Sequence, residues 1–101
     1  MNKMRRKDLM GVIKELRACR DNDDIYAVIN HLENIRDDEE SYYDNIPENL
    51  QSSQRAYDSE DAIDKMNDAL DFLNKAYESN DDDKIKDLVR KAIDKIYEAK
   101  S

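Results

Sequence analysis

The sequence predicts an all-α fold: a small bundle of three or four helices, arranged as two helical hairpins joined by a polar linker. Three observations carry this. Apolar residues recur at spacings of three and four along almost the whole chain, as a one-sided helix requires. No stretch sustains the period of two that a half-buried strand would show. The interruptions are Asn/Asp/Ser clusters and a single proline, which begin and end helices.

The first element covers residues 3–43, as one long helix or as a hairpin. Met4, Leu9, Val12, Ile13, Leu16 and Cys19 give one stripe; Ile25, Val28, Ile29, Leu32 and Ile35, followed by Tyr42 and Tyr43, give another. Asp21-Asn22-Asp23-Asp24 either breaks the segment, with side chains suited to capping a new helix, or is crossed at a cost of a few tenths of a kcal/mol per Asp. The only glycine, Gly11, is either a notch for a neighbouring helix or an exposed blemish costing about 1 kcal/mol.

Residues 44–57 form the linker. Pro47 disfavours helix at Ile46, and about a dozen polar residues is long for a helix–helix connection, a length often associated with function. Residues 58–100 form the second hairpin. Ala62, Ile63, Met66, Ala69, Leu70, Leu73, Ala76 and Tyr77 make one face; Ile85, Leu88, Val89, Ala92, Ile93, Ile96 and Tyr97 make the next. Asp58-Ser59-Glu60-Asp61 and Ser79 to Asp83 supply N-cap residues and place carboxylates where the helix dipole favours them. A 60-residue shift lays Asp21, Asp23, Ile25, Val28 and Ile29 on Asp81, Asp83, Ile85, Leu88 and Val89, an echo that any two amphipathic helix pairs would also give.

At 101 residues the chain makes one small domain. Its residues are 42 % charged and 39 % hydrophobic, against roughly 25 % and 45–50 % in ordinary globular domains. A core of this size contributes about 3–5 kcal/mol net, so self-association into a dimer or larger homo-oligomer is expected. There is no apolar run long enough for a membrane span and no export signal, so a cytoplasmic setting is expected. The charge of −8 is divided unevenly: +5 over residues 1–20, −16 over 21–83 and +3 over 84–101. The acidic middle argues against direct nucleic-acid binding, which needs a positive stripe. The basic start, Lys3, Arg5, Arg6 and Lys7, either folds over that middle or serves an anionic partner.

Catalysis has little to draw on. One His and one Cys are present; Cys19 falls on an apolar stripe and His31 on or beside a helix face. The Asp21 cluster fails as a calcium loop, because the position that needs Gly is Tyr26. No enzyme activity, metal or cofactor is expected. The candidate binding residues surround the linker: Tyr42, Tyr43, Asn45, Pro47, Asn49, Gln51 and Arg55, among them types enriched at contact surfaces. The same tyrosines could instead seal the core while the amides cap helix ends. Asp37, Asp38, Glu39 and Glu40 form a candidate acidic face.

Asp44-Asn45-Ile46-Pro47-Glu48-Asn49-Leu50-Gln51, followed by Ser53 and Arg55, resembles a linker found in a family of small uncharacterised helical proteins of Firmicutes and their phages. Arg5-Arg6-Lys7 with Leu9, Glu39-Glu40, Asp61-Ala62-Ile63-Asp64 and Ala69-Leu70-Asp71 extend the resemblance over residues 3–77. The Asp21–Asp24 cluster and the helix over 84–100 depart from it. The resemblance implies no set biochemistry, but its phage company suggests an interaction protein that binds and modulates a host protein in the bacterial cytoplasm. Nucleic-acid mimicry by the acidic face or an anti-defence role would be specific forms of this. The alternatives are a module binding a small nucleotide-like ligand at the linker, and a structural oligomeric assembly factor.

Overall fold

The computed structural model describes residues 1–100. Four α-helices, α1 (Lys3–Arg17), α2 (Asn22–Asp44), α3 (Gln54–Glu78) and α4 (Asp82–Lys100), run alternately up and down. A single 3₁₀ turn, Glu48–Leu50, lies in the linker. The bundle is a rod of 48 × 19 × 19 Å.

The break at residues 18–21 is real, and its chemistry is local. Asp21 is the N-cap of α2 and accepts a hydrogen bond from the Asp24 N–H at 3.0 Å, while Asp24 reaches back to the Arg20 N–H at 2.9 Å. Residues 3–43 are therefore a hairpin. Asp81 plays the same part before α4, accepting from the N–H groups of Asp83 and Lys84. The 60-residue echo thus lays one helix-starting Asp on another.

The linker is shorter than the sequence reading placed it. Helix α2 continues through Asp44, and α3 starts at Gln54 rather than near residue 58, so Arg55 stands in its first turn. Ser53 caps α3, accepting from the Ala56 N–H at 3.3 Å. Asp58 is not a cap but accepts from the Gln54 amide one turn earlier, and Ser59 is turned inward and fully buried.

Each helix contributes one stripe to a shared core: Leu9, Val12, Ile13 and Leu16 from α1; Ile25, Val28, Ile29, Leu32 and Ile35 from α2; Met66, Leu70 and Leu73 with three alanines from α3; Leu88, Ala92, Ile96 and Ala99 from α4. Small buried residues on both sides, Ala62, Ala69 and Ala76 against Ala92 and Ala99, let α3 and α4 approach closely, and this is the most extensive helix pair. Of the four main helix pairs, α1–α4 is the thinnest, leaving a seam along the bundle. The register is fixed by paired side chains: Arg5 with Glu39, His31 with Glu15, Asn67 with Arg36, and Lys95 with Asp68. Nothing lies within 4 Å of a Cβ built on Gly11, so it is no packing notch within the chain.

Candidate interaction surfaces

The linker end is organised by a charge the sequence reading put on the surface. Glu39 is fully buried and does not belong to the acidic face of Asp37, Asp38 and Glu40. It continues the α2 stripe four residues beyond Ile35, just as Ser59 continues the α3 stripe three residues before Ala62. One Glu39 oxygen accepts from Arg5 Nε at 2.7 Å and the other from Ser59 Oγ at 2.6 Å. A buried carboxylate needs such partners, because desolvation of the bare charge is costly. Arg5 also lies over the Tyr42 ring, 5.2 Å from its centroid, within cation–π range. The basic start therefore folds onto the acidic middle through Arg5, while Lys3, Arg6 and Lys7 make no side-chain ion pair among the described residues.

The proposed linker residues divide. Tyr42, Asn45, Pro47 and Arg55 line one depression of about 480 Å³ with Ile46 and Leu50. Tyr42 and Arg55 also line an adjoining depression of about 510 Å³ with Asn2, Arg6 and Asp58. Tyr43 is not among them. It faces Glu60 on α3, whose carboxylate, with smaller help from burial, pushes the phenol above its ordinary range. Asn45 Nδ2 donates to the Ser41 carbonyl and Gln51 Nε2 to the Ile46 carbonyl, both at 2.8 Å. These two amides hold backbone, as capping residues do. Asn49 is exposed.

The acidic middle is laid out in rows. Asp61, Asp64, Asp68 and Asp71 are all exposed on α3, and at 100° per residue they fall on the side opposite Met66 and Leu73. Asp61, Asp64 and Asp71 form no ion pair or hydrogen bond through their side chains among the described residues. On α2, Asp37 and Glu40 share Arg36, and Asp38 and Asp44 are exposed without an ion pair.

The α1–α4 seam opens into a groove of about 940 Å³. Its floor includes the half-buried Ile85, Val89 and Ile93, a second apolar stripe of α4 beside the one packed on α3. Its edges mix Arg17, Arg20 and Lys86 with Asp21, Asp82 and Asp94. Arg17 reaches across to Tyr97, donating to its hydroxyl at 3.0 Å.

The single cysteine and histidine do not meet as a nucleophile and base. The Cys19 thiol donates to the Glu15 carbonyl at 3.3 Å, and His31 Nδ1 lies 3.1 Å from the Glu15 carboxylate. Burial first, then the carboxylates of Asp24, Glu15 and Asp21, push the Cys19 thiol above its ordinary range, away from reactivity. Among the described residues no three His, Cys, Asp or Glu side chains gather as a metal set, and no helix is long and apolar enough to cross a membrane. No protein-family model, curated protein or solved structure matches the chain.

Proposed function

We propose that this chain is a non-enzymatic interaction protein whose acidic α2–α3 side binds and modulates a basic partner protein. The carrying observation is the exposed, unpaired row Asp61, Asp64 and Asp71 in a chain of net charge −8. A one-sided field of this sign speeds encounter with a basic surface and rejects acidic ones. From Asp61 to Asp71 the α3 row places four carboxylates over about 15 Å, sparser than the roughly 3.4 Å per phosphate of one nucleic-acid strand. Mimicry of a duplex therefore needs the α2 acids Asp37 and Asp44, which fall on one face of that helix, as a second row. The phage or prophage setting, the host-cell cytoplasm and an anti-defence role rest on the linker resemblance.

The test is capture of proteins from a bacterial extract by the immobilised chain and by a triple Asp61→Asn, Asp64→Asn, Asp71→Asn variant. The reading expects partners that the variant loses, that leave between 0.1 and 1 M salt, and that double-stranded DNA displaces if mimicry operates. Capture unchanged in the variant and in molar salt would sink it.

A second reading, self-association, is favoured by the α1–α4 groove. Its apolar floor with edges of both signs is what a self-complementary two-fold contact requires. Light scattering is expected to show a dimer that Val89→Glu returns to monomer; a strictly monomeric wild-type chain at high concentration rules it out.

A further inference from the structure

The linker end carries a second kind of site. Its two adjoining depressions share Tyr42 and Arg55 and differ in character. One is walled by Ile46, Pro47 and Leu50; the other brings Arg6 and Arg55 into one lining with Met1, Asn2 and Asp58. Each volume falls within the range of small-molecule sites. The side chains of Arg6 and Arg55 form no hydrogen bond or ion pair among the described residues, although acids outnumber bases by 25 to 17. Among the described residues, the only carboxylate lining either depression is Asp58, whose Oδ1 already accepts from Gln54. Tyr42 is backed by Arg5, which is itself anchored on buried Glu39. A binding surface held by a locked second layer of this kind is pre-organised.

We propose that this end of the bundle binds a small organic phosphate bearing a flat ring, of the size of a nucleoside monophosphate. The phosphate is held between the Arg6 and Arg55 guanidinium groups, which match phosphate oxygens in fork geometry. The ring lies against Tyr42 and the Ile46–Leu50 wall, where aromatic and aliphatic surface replaces water. The inference goes beyond the acidic-face reading and stands apart from it, using cations at one end of the rod instead of carboxylates along its side.

The test is calorimetric titration of the full chain with AMP, CMP, adenosine and inorganic phosphate. Both monophosphates are expected to bind, with adenosine and phosphate each at least tenfold weaker. Arg6→Ala and Arg55→Ala are each expected to weaken binding at least tenfold without changing the helical circular dichroism, because both side chains are exposed. Asp58→Asn, which removes the one facing carboxylate, is expected to tighten it. The proposal is overturned if neither monophosphate binds, or if binding survives both arginine substitutions. It is also overturned if a phosphotyrosine peptide binds and the monophosphates do not, which would make the site one for a protein partner.

Discussion

At the scale of single residues, the most informative group is Glu39 with Arg5 and Ser59. Removing one partner of a buried ion pair strands the other charge, at about 3–5 kcal/mol, whereas replacing both by apolar groups is often neutral. Arg5→Ala is therefore expected to destabilise the chain by about 3 kcal/mol, since Arg5 keeps some contact with water. Ser59→Ala, which takes one hydrogen bond from the carboxylate, is expected to cost about 1–3 kcal/mol. Combining Arg5→Met with Glu39→Leu is expected to recover most of the Arg5→Ala loss. Denaturant unfolding of the set checks this, and equal losses for the single and paired changes would contradict it. Glu39 was hard to read because Asp37-Asp38-Glu39-Glu40 looks like one solvated run. The legible clue was its place on the Ile25–Ile35 stripe, where residue type and position disagree.

At the scale of elements, apolar spacing made all four helices readable, because each stripe had a single face to bury. The start of α3 was not readable. Its first two turns are polar, and two of the inward positions are held by Ala56 and Ser59, which carry little hydropathy. The polar Asp58–Asp61 run imitated a helix start that Ser53 in fact provides. Gly11 and Asp21 test local preference against packing. Gly11→Ala meets open space at a helical position without positive φ and is expected to raise stability by up to about 1 kcal/mol. Asp21→Ala removes the α2 cap and is expected to lower it by about 1 kcal/mol. In a domain of this length each shifts the thermal midpoint by about 4–8 °C. A Gly11→Ala change that instead destabilised the chain and altered its oligomeric state would reassign that glycine to a contact between copies.

At the scale of the whole molecule, the charge asymmetry seen in the sequence became spatial only in part. Arg5 neutralises a buried acid, yet the α3 row stays bare and Arg6 and Arg55 stay free. The candidate binding residues were legible as a linker cluster. Which of them share a surface was not, because Tyr42 and Tyr43 sit 100° apart on α2 and diverge toward the linker depressions and Glu60. The bare acidic row has a bulk consequence. As pH falls from 7 toward the isoelectric point near 4.6, the net repulsion that keeps copies apart vanishes. Reversible association beyond any dimer formed through the α1–α4 groove is expected to grow there relative to pH 7, detectable by light scattering at low salt; equal particle size across that range would contradict it.

The thin α1–α4 seam determines how the rod gives way under force. Arg5 meets Glu39, and Lys95 and Glu98 meet Asp68 and Lys65, so the first helix begins and the last one ends toward the same half of the molecule. A pull applied between those two outer helices loads the seam across its width, like opening a zipper, instead of sliding helices along their length. The first helix is then expected to peel away at low force and α2 after it, leaving the α3–α4 pair, the most extensive in the bundle, as the last unit to yield.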